Sequence, residues 1–101
     1  MSDFYILEGK TPKKVDLTTW AKWFEAGDDN RRVASTMKDG VHVSTVFLGL
    51  DHSIPAVNSE PVLYETMIFG GRHSDYQERC STWEQAEAMH KRACDKAFAA
   101  C

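Results

Sequence analysis

The apolar positions change their spacing along the chain, and those changes divide it into elements. Residues 4 to 8 (FYILE) are mostly apolar with β-forming side chains and predict a strand that Gly9 ends, with Pro12 marking a connection. Leu17, Trp20, Ala21 and Phe24 then follow the i, i+3, i+4, i+7 pattern of one helix face; Asp16 is placed to cap its start and Gly27 to stop it. Trp23 falls at the edge of that stripe, a position for a shoulder of the core or a half-exposed aromatic, of which the shoulder is favoured.

Residues 32 to 38 and 41 to 50 flank Asp39-Gly40, the dipeptide suited to a two-residue hairpin turn in which both central residues have positive φ. That turn sets a register in which Lys38 faces Val41, Met37 faces His42, Ser35 faces Ser44 and Val33 faces Val46. Val46, Phe47 and Leu48 are apolar on both faces, so this end of the strand is expected at the sheet centre. After an irregular stretch from 51 to 61, residues 62 to 69 (VLYETMIF) predict another central strand, ended by Gly70-Gly71. Residues 76 to 80 predict a short edge strand. Ser81-Thr82-Trp83-Glu84 fits a capping box, opening a C-terminal helix whose stripe is Trp83, Ala86, His90, Ala93, Cys94 and Ala97. The order β-α-β-β-β-(β)-α predicts a two-layer α+β fold, an antiparallel sheet of four or five strands with both helices on one face.

Composition narrows the class. The 101 residues are 43% hydrophobic and 27% charged, as in one soluble globular domain spanning 1 to 101. The longest apolar run, residues 46 to 50, is far short of a membrane span, and the start lacks the order of a signal peptide, so a cytoplasmic protein is expected. Net charge is −3, and the Lys10, Lys13, Lys14 cluster and the Arg31-Arg32 pair both have acidic neighbours, so no general nucleic-acid binding is expected. An acidic surface dense enough to mimic nucleic acid is not present either. Three cysteines, Cys80, Cys94 and Cys101, are an odd number and read as reduced thiols.

Four segments, WAKWFE (20 to 25), VHVSTVFLGLDH (41 to 52), VLYETMIFGG (62 to 71) and STWEQAEAMH (81 to 90), together resemble a group of small uncharacterised proteins encoded by tailed bacteriophages and prophages. STVFLGLDH and ETMIFGG are the most specific parts of that resemblance, and residues 53 to 61 match least well. The resemblance implies a phage accessory protein acting in a bacterial host cytoplasm, with host takeover or counter-defence as the kind of role, and it carries no catalytic residues with it.

Candidate chemistry is sparse. Asp51-His52-Ser53 has the residue types of a hydrolase triad, but sequence neighbours point apart and cannot relay a proton. Asp51 and His52 follow the third strand while Arg72 and His73 follow the fourth, which puts the pairs at opposite ends of an antiparallel hairpin unless an oligomer joins them. Asp51 and His52 read first as loop-holding residues and second as ligand or partner contacts. Glu65 interrupts an apolar strand, and its face is either solvated or supplies a cation. If helices cover only the other face, Leu63, Glu65, Met67 and Phe69 form an open surface suited to homo-oligomerisation; the alternative is a helix on each face. His90 and Cys94 stand one helical turn apart with Cys80 nearby, but a fourth ligand and a tight paired motif are missing, so no metal is expected. No glycine-rich loop leads into a helix to hold a phosphate, and no cofactor is expected.

These residues predict a non-enzymatic phage accessory protein that binds a bacterial host or defence component. The alternative is an oligomeric binder that sequesters a small anionic nucleotide-like signal with Arg31, Arg32, His52, Arg72 or His73, and Trp23 as a stacking platform. No spacing fixes a nucleophile, a base and an oxyanion site together, so an enzyme is the least favoured class.

Overall fold

The computed structural model, which describes residues 3–27, 31–51 and 60–98, has two antiparallel sheets and two helices, an α+β fold. Strands β1 (Phe4–Glu8) and β2 (Thr11–Val15) make a two-stranded sheet. The second sheet has four strands, β3 (Arg32–Lys38), β4 (Val41–Phe47), β5 (Tyr64–Phe69) and β6 (Gln77–Cys80), side by side in chain order. Strand β2 falls where the sequence predicts a connection. Pro12 sits opposite Leu7 in a ribbon of only two strands, where proline on an outer edge forfeits no second ladder bond. β1 is joined to the larger sheet's loops, through a bridge from Phe4 to Leu50 and a Tyr5 N–H donating to Gly49 O at 2.8 Å, and adds no strand to that sheet.

Helix α1 (Leu17–Glu25) begins as predicted, with the Asp16 carboxylate accepting from Thr19 N–H at 2.9 Å. It packs chiefly on β1, so the two helices do not lie together on one sheet face. Trp20 stacks against Phe4 and Phe24, while Leu17 at the head of the predicted stripe is exposed. Helix α2 (Trp83–Ala97) packs across the four-stranded sheet, and Trp23 of α1 adds to the core only at Phe47. Its capping box lies one residue later than predicted: Thr82 accepts from Gln85 N–H, and the Gln85 side chain returns to the Thr82 N–H. Ala86, Met89, His90 and Ala93 form its buried face, so Met89 joins the predicted stripe and Trp83 is only half-buried.

The β3–β4 hairpin turns at Asp39 and Gly40, with φ of 53° and 80°, and this two-residue left-handed turn matches the natural twist of the strands. Lys38 faces Val41, Met37 faces His42 and Ser35 faces Ser44 as predicted. Beyond Ala34 the register shifts, and Arg32, not Val33, faces Val46. Val33 is the extra residue of a bulge and packs against the Phe47 cluster.

The sheet therefore has two unlike faces. Val43, Thr45, Phe47, Tyr64, Thr66 and Ile68 are buried toward α2. Cross-strand pairing places three rows on the other face: Met37, His42 and Phe69; Ser35, Ser44, Met67 and Gln77; and Arg32, Val46, Glu65 and Arg79. A polar chain runs through the buried layer. His90 bonds Thr36 through Nε2 at 2.9 Å and Thr45 through Nδ1 at 2.7 Å, and Thr45 bonds Thr66, so His90 is a satisfied core histidine.

Candidate functional site

A cleft of ≈ 320 Å³ opens on the face turned away from α2, where the end of α1 meets the β3–β4 hairpin. Its polar lining is Arg31, Arg32, Ser35, His42 and Ser44; Phe24, Val46 and Leu48 supply apolar wall. Arg31 is fixed twice, since its carbonyl accepts from Phe47 N–H at 2.7 Å and its guanidinium carbon lies 3.7 Å over the Phe24 ring. Arg32 reaches this face because of the bulge: strict alternation back from Ser35 would turn it toward the core side. Both arginines also interact with other groups of the chain. Ser35 Oγ and His42 Nε2 are 2.7 Å apart, and the His42 ring lies 5.9 Å from Phe69.

The predicted site residues separate into three places. Arg31 and Arg32 come together in the cleft. Trp23 does not serve as its stacking platform; it is a shoulder of the core, set edge-on to Phe47 at 5.7 Å, and Phe24, the next residue, faces the cleft in its place. Asp51 accepts from Val62 N–H at 2.9 Å through Oδ1, and its own N–H donates to Asp3 O. His52 lies outside the described residues. Arg72 and His73 follow β5 beside the Asp39-Gly40 turn, and Asp51 follows β4 at the other end, so the two groups are separated by about a strand length, ~17 Å.

The predicted oligomer surface needs correction at Leu63. It lies just before β5, is 1% exposed and belongs to the Phe47–Tyr64 cluster, so that Leu63 and Tyr64, neighbours in sequence, are both buried. Glu65 is on the open face but is bound by Arg79 Nε at 2.9 Å and by the Gln77 amide, both from the adjoining edge strand. Met67 is half-buried, and Phe69 is 47% exposed. Met37, 71% exposed and in the same row as Phe69, is a surface residue that sequence reasoning did not single out. Ser35, His42 and Ser44 were likewise not singled out, although the hairpin register already placed them on one face.

Among the described residues no group of three or more His, Cys, Asp or Glu side chains is placed to hold a metal ion, and Cys80 and Cys94 are free thiols. Cys101 lies outside the described residues. No described helix is long and apolar enough to cross a membrane. No protein-family model matches this chain, and no curated protein or solved structure is significantly similar to it.

Proposed function

We propose that this protein is a non-enzymatic phage accessory protein that binds a bacterial host or defence component through the sheet face opposite α2. The single observation behind the reading is the row Met37, His42, Phe69, in which two exposed large apolar side chains flank a histidine on one rigid surface. Large apolar groups held outward by three paired strands are the kind of anchor that carries most of the binding energy in a protein interface. The polar and charged residues of the neighbouring rows supply the rim such an anchor requires. The phage setting rests on the resemblance of the VHVSTVFLGLDH and VLYETMIFGG segments.

The test is capture of a defined host protein by the purified chain, compared with Met37→Lys and Phe69→Glu after circular dichroism has established that both variants fold. The expected result is at least a tenfold loss of affinity in each variant, about 1.4 kcal/mol or more. Undiminished capture by both would place the interface elsewhere.

A further inference from the structure

We infer that the outer edge of β3 is a docking site for an extended segment of a partner protein, which joins the sheet as one more antiparallel strand with an acidic side chain opposite Lys38. The inference rests on the reading that this side of the sheet meets a partner, and it deepens that reading by giving the form and chemistry of the segment bound.

The hairpin turn fixes which backbone groups of β3 face outward. Lys38 and Val41 flank a two-residue turn and bond each other, so Thr36 and Ala34 also bond to β4, and the N–H and C=O groups of Ser35 and Met37 point away from it. The same alternation holds at the far end, where Phe47 N–H donates to Arg31 O. β3 is an outermost strand of its sheet, and among the described residues no strand lies on its outer side and no backbone bond reaches Ser35 or Met37 from there. These outward N–H and C=O groups form the template that an added strand completes.

The two edges of the sheet differ. β6 is only four residues long, and its Gln77 and Arg79 side chains are drawn to Glu65 on the neighbouring strand. β3 is seven residues long, and its bulge at Val33 guards only the Arg32 end, which leaves 34 to 38 as a regular run without proline.

The faces of β3 set what the segment carries. An antiparallel strand places one residue opposite Met37 and another opposite Ser35, both on the open face, where the first prolongs the row Met37, His42, Phe69 and is therefore apolar. The residue between them lies opposite Thr36, on the α2 side. The residue on the other side of the apolar one lies opposite Lys38, which is exposed and makes no ion pair among the described residues. β3 carries two cations and no acid, so an acidic side chain complements this position and a basic one is repelled.

The probe is the peptide Ac-Glu-Val-Thr-Val-Thr-NH2, whose residues lie opposite Lys38, Met37, Thr36, Ser35 and Ala34 in turn. Titration of the whole chain, followed by calorimetry and amide shifts, is expected to give saturable binding with slowed hydrogen exchange at the Ser35 and Met37 amides. Methylating both valine nitrogens of the peptide is expected to weaken binding at least tenfold, and lysine in place of its glutamate severalfold. Ser35→Pro removes one outward N–H while sparing the β4 ladder, and is expected to weaken the peptide at least tenfold; Ser35→Ala gives up the same hydroxyl but keeps the N–H, and is expected to bind severalfold more tightly than Ser35→Pro. Circular dichroism checks the proline variant, and the methylated peptide puts the same question to the unaltered chain. The inference is overturned if the peptide does not bind at millimolar concentration, or if the methylated or the lysine peptide binds as tightly as the parent. It is also overturned if the Ser35 and Met37 amides slow in the free chain as its concentration rises, which makes a second copy the occupant. With the captured host protein, loss of binding in Ser35→Pro alone upholds the edge and removes the Met37 and Phe69 row; loss in Met37→Lys and Phe69→Glu alone upholds the row and overturns the edge.

Discussion

Thr45 and His90 meet in the layer between sheet and α2, hydroxyl to Nδ1 at 2.7 Å, with both side chains buried. Burial, with His42 as a lesser cause, holds His90 below the ordinary histidine value of 6.5. The unfolded chain therefore takes up the proton before the folded one does as pH falls, so stability is full above about pH 6.5 and declines below it. Urea unfolding between pH 5 and pH 8 is expected to show that decline. His90→Leu is expected to flatten it and to lower stability at pH 8 by about 1–3 kcal/mol, because the Thr36 and Thr45 hydroxyls lose their partner. A wild-type slope that persists in the variant would assign it to other groups.

Cys80 is half-buried beside the start of α2, and burial pushes its thiol up to about 11, with Glu78 adding to the effect. The thiolate, which is the reactive form, is then about a hundredfold scarcer at pH 8 than in an ordinary cysteine. Iodoacetamide labelling followed by peptide mapping is expected to modify Cys80 slowly in the folded protein and at a normal rate in urea. Equal rates in the two states would contradict the burial seen here.

Where local chemistry decides, the sequence is legible. Asp39-Gly40 announces its turn because few residues tolerate two consecutive left-handed conformations, and Asp16 announces α1 because its carboxylate satisfies an orphan amide. Where two local solutions are equivalent, the choice passes to packing. Ser81 with Glu84 and Thr82 with Gln85 are both sound capping boxes, and the position of Trp83 against Tyr64 goes with the second. The bulge at Val33 goes with the packing of that partly buried side chain against the Phe47 cluster, a long-range contact that no alternation pattern encodes. The cleft inherits this difficulty. Arg31 and Arg32 stand out as a pair, but their meeting with Phe24, Ser35 and His42 depends on how α1 ends against the hairpin.

Gly70 ends β5 with φ of 88°, and a Cβ there would lie 2.5 Å from Gly40 O in the neighbouring hairpin turn. Alanine therefore meets both a strained backbone and a backbone atom that cannot swing aside. Gly70→Ala is expected to cost about 2–4 kcal/mol in chemical denaturation. A cost under about 0.5 kcal/mol would mean that the two turns separate readily.

Phe69 also decides whether copies of the chain meet. With Leu63 in the core and Glu65 tied to Arg79, self-association through this face rests on Phe69, Met67 and Met37, a smaller apolar surface than the sequence promised. A small surface implies a weak assembly, so wild-type protein is expected to exceed the 11.4 kDa monomer in sedimentation only at high micromolar concentration. Phe69→Glu puts two like charges against each other across any symmetric contact and is expected to hold the chain monomeric. Because Phe69 is exposed, the same change is expected to alter folding stability by no more than about 0.5 kcal/mol. A host protein that uses this row would compete with the second copy, so its addition is expected to dissolve the oligomer. Wild-type protein that remains monomeric at every concentration would restrict the face to a foreign partner.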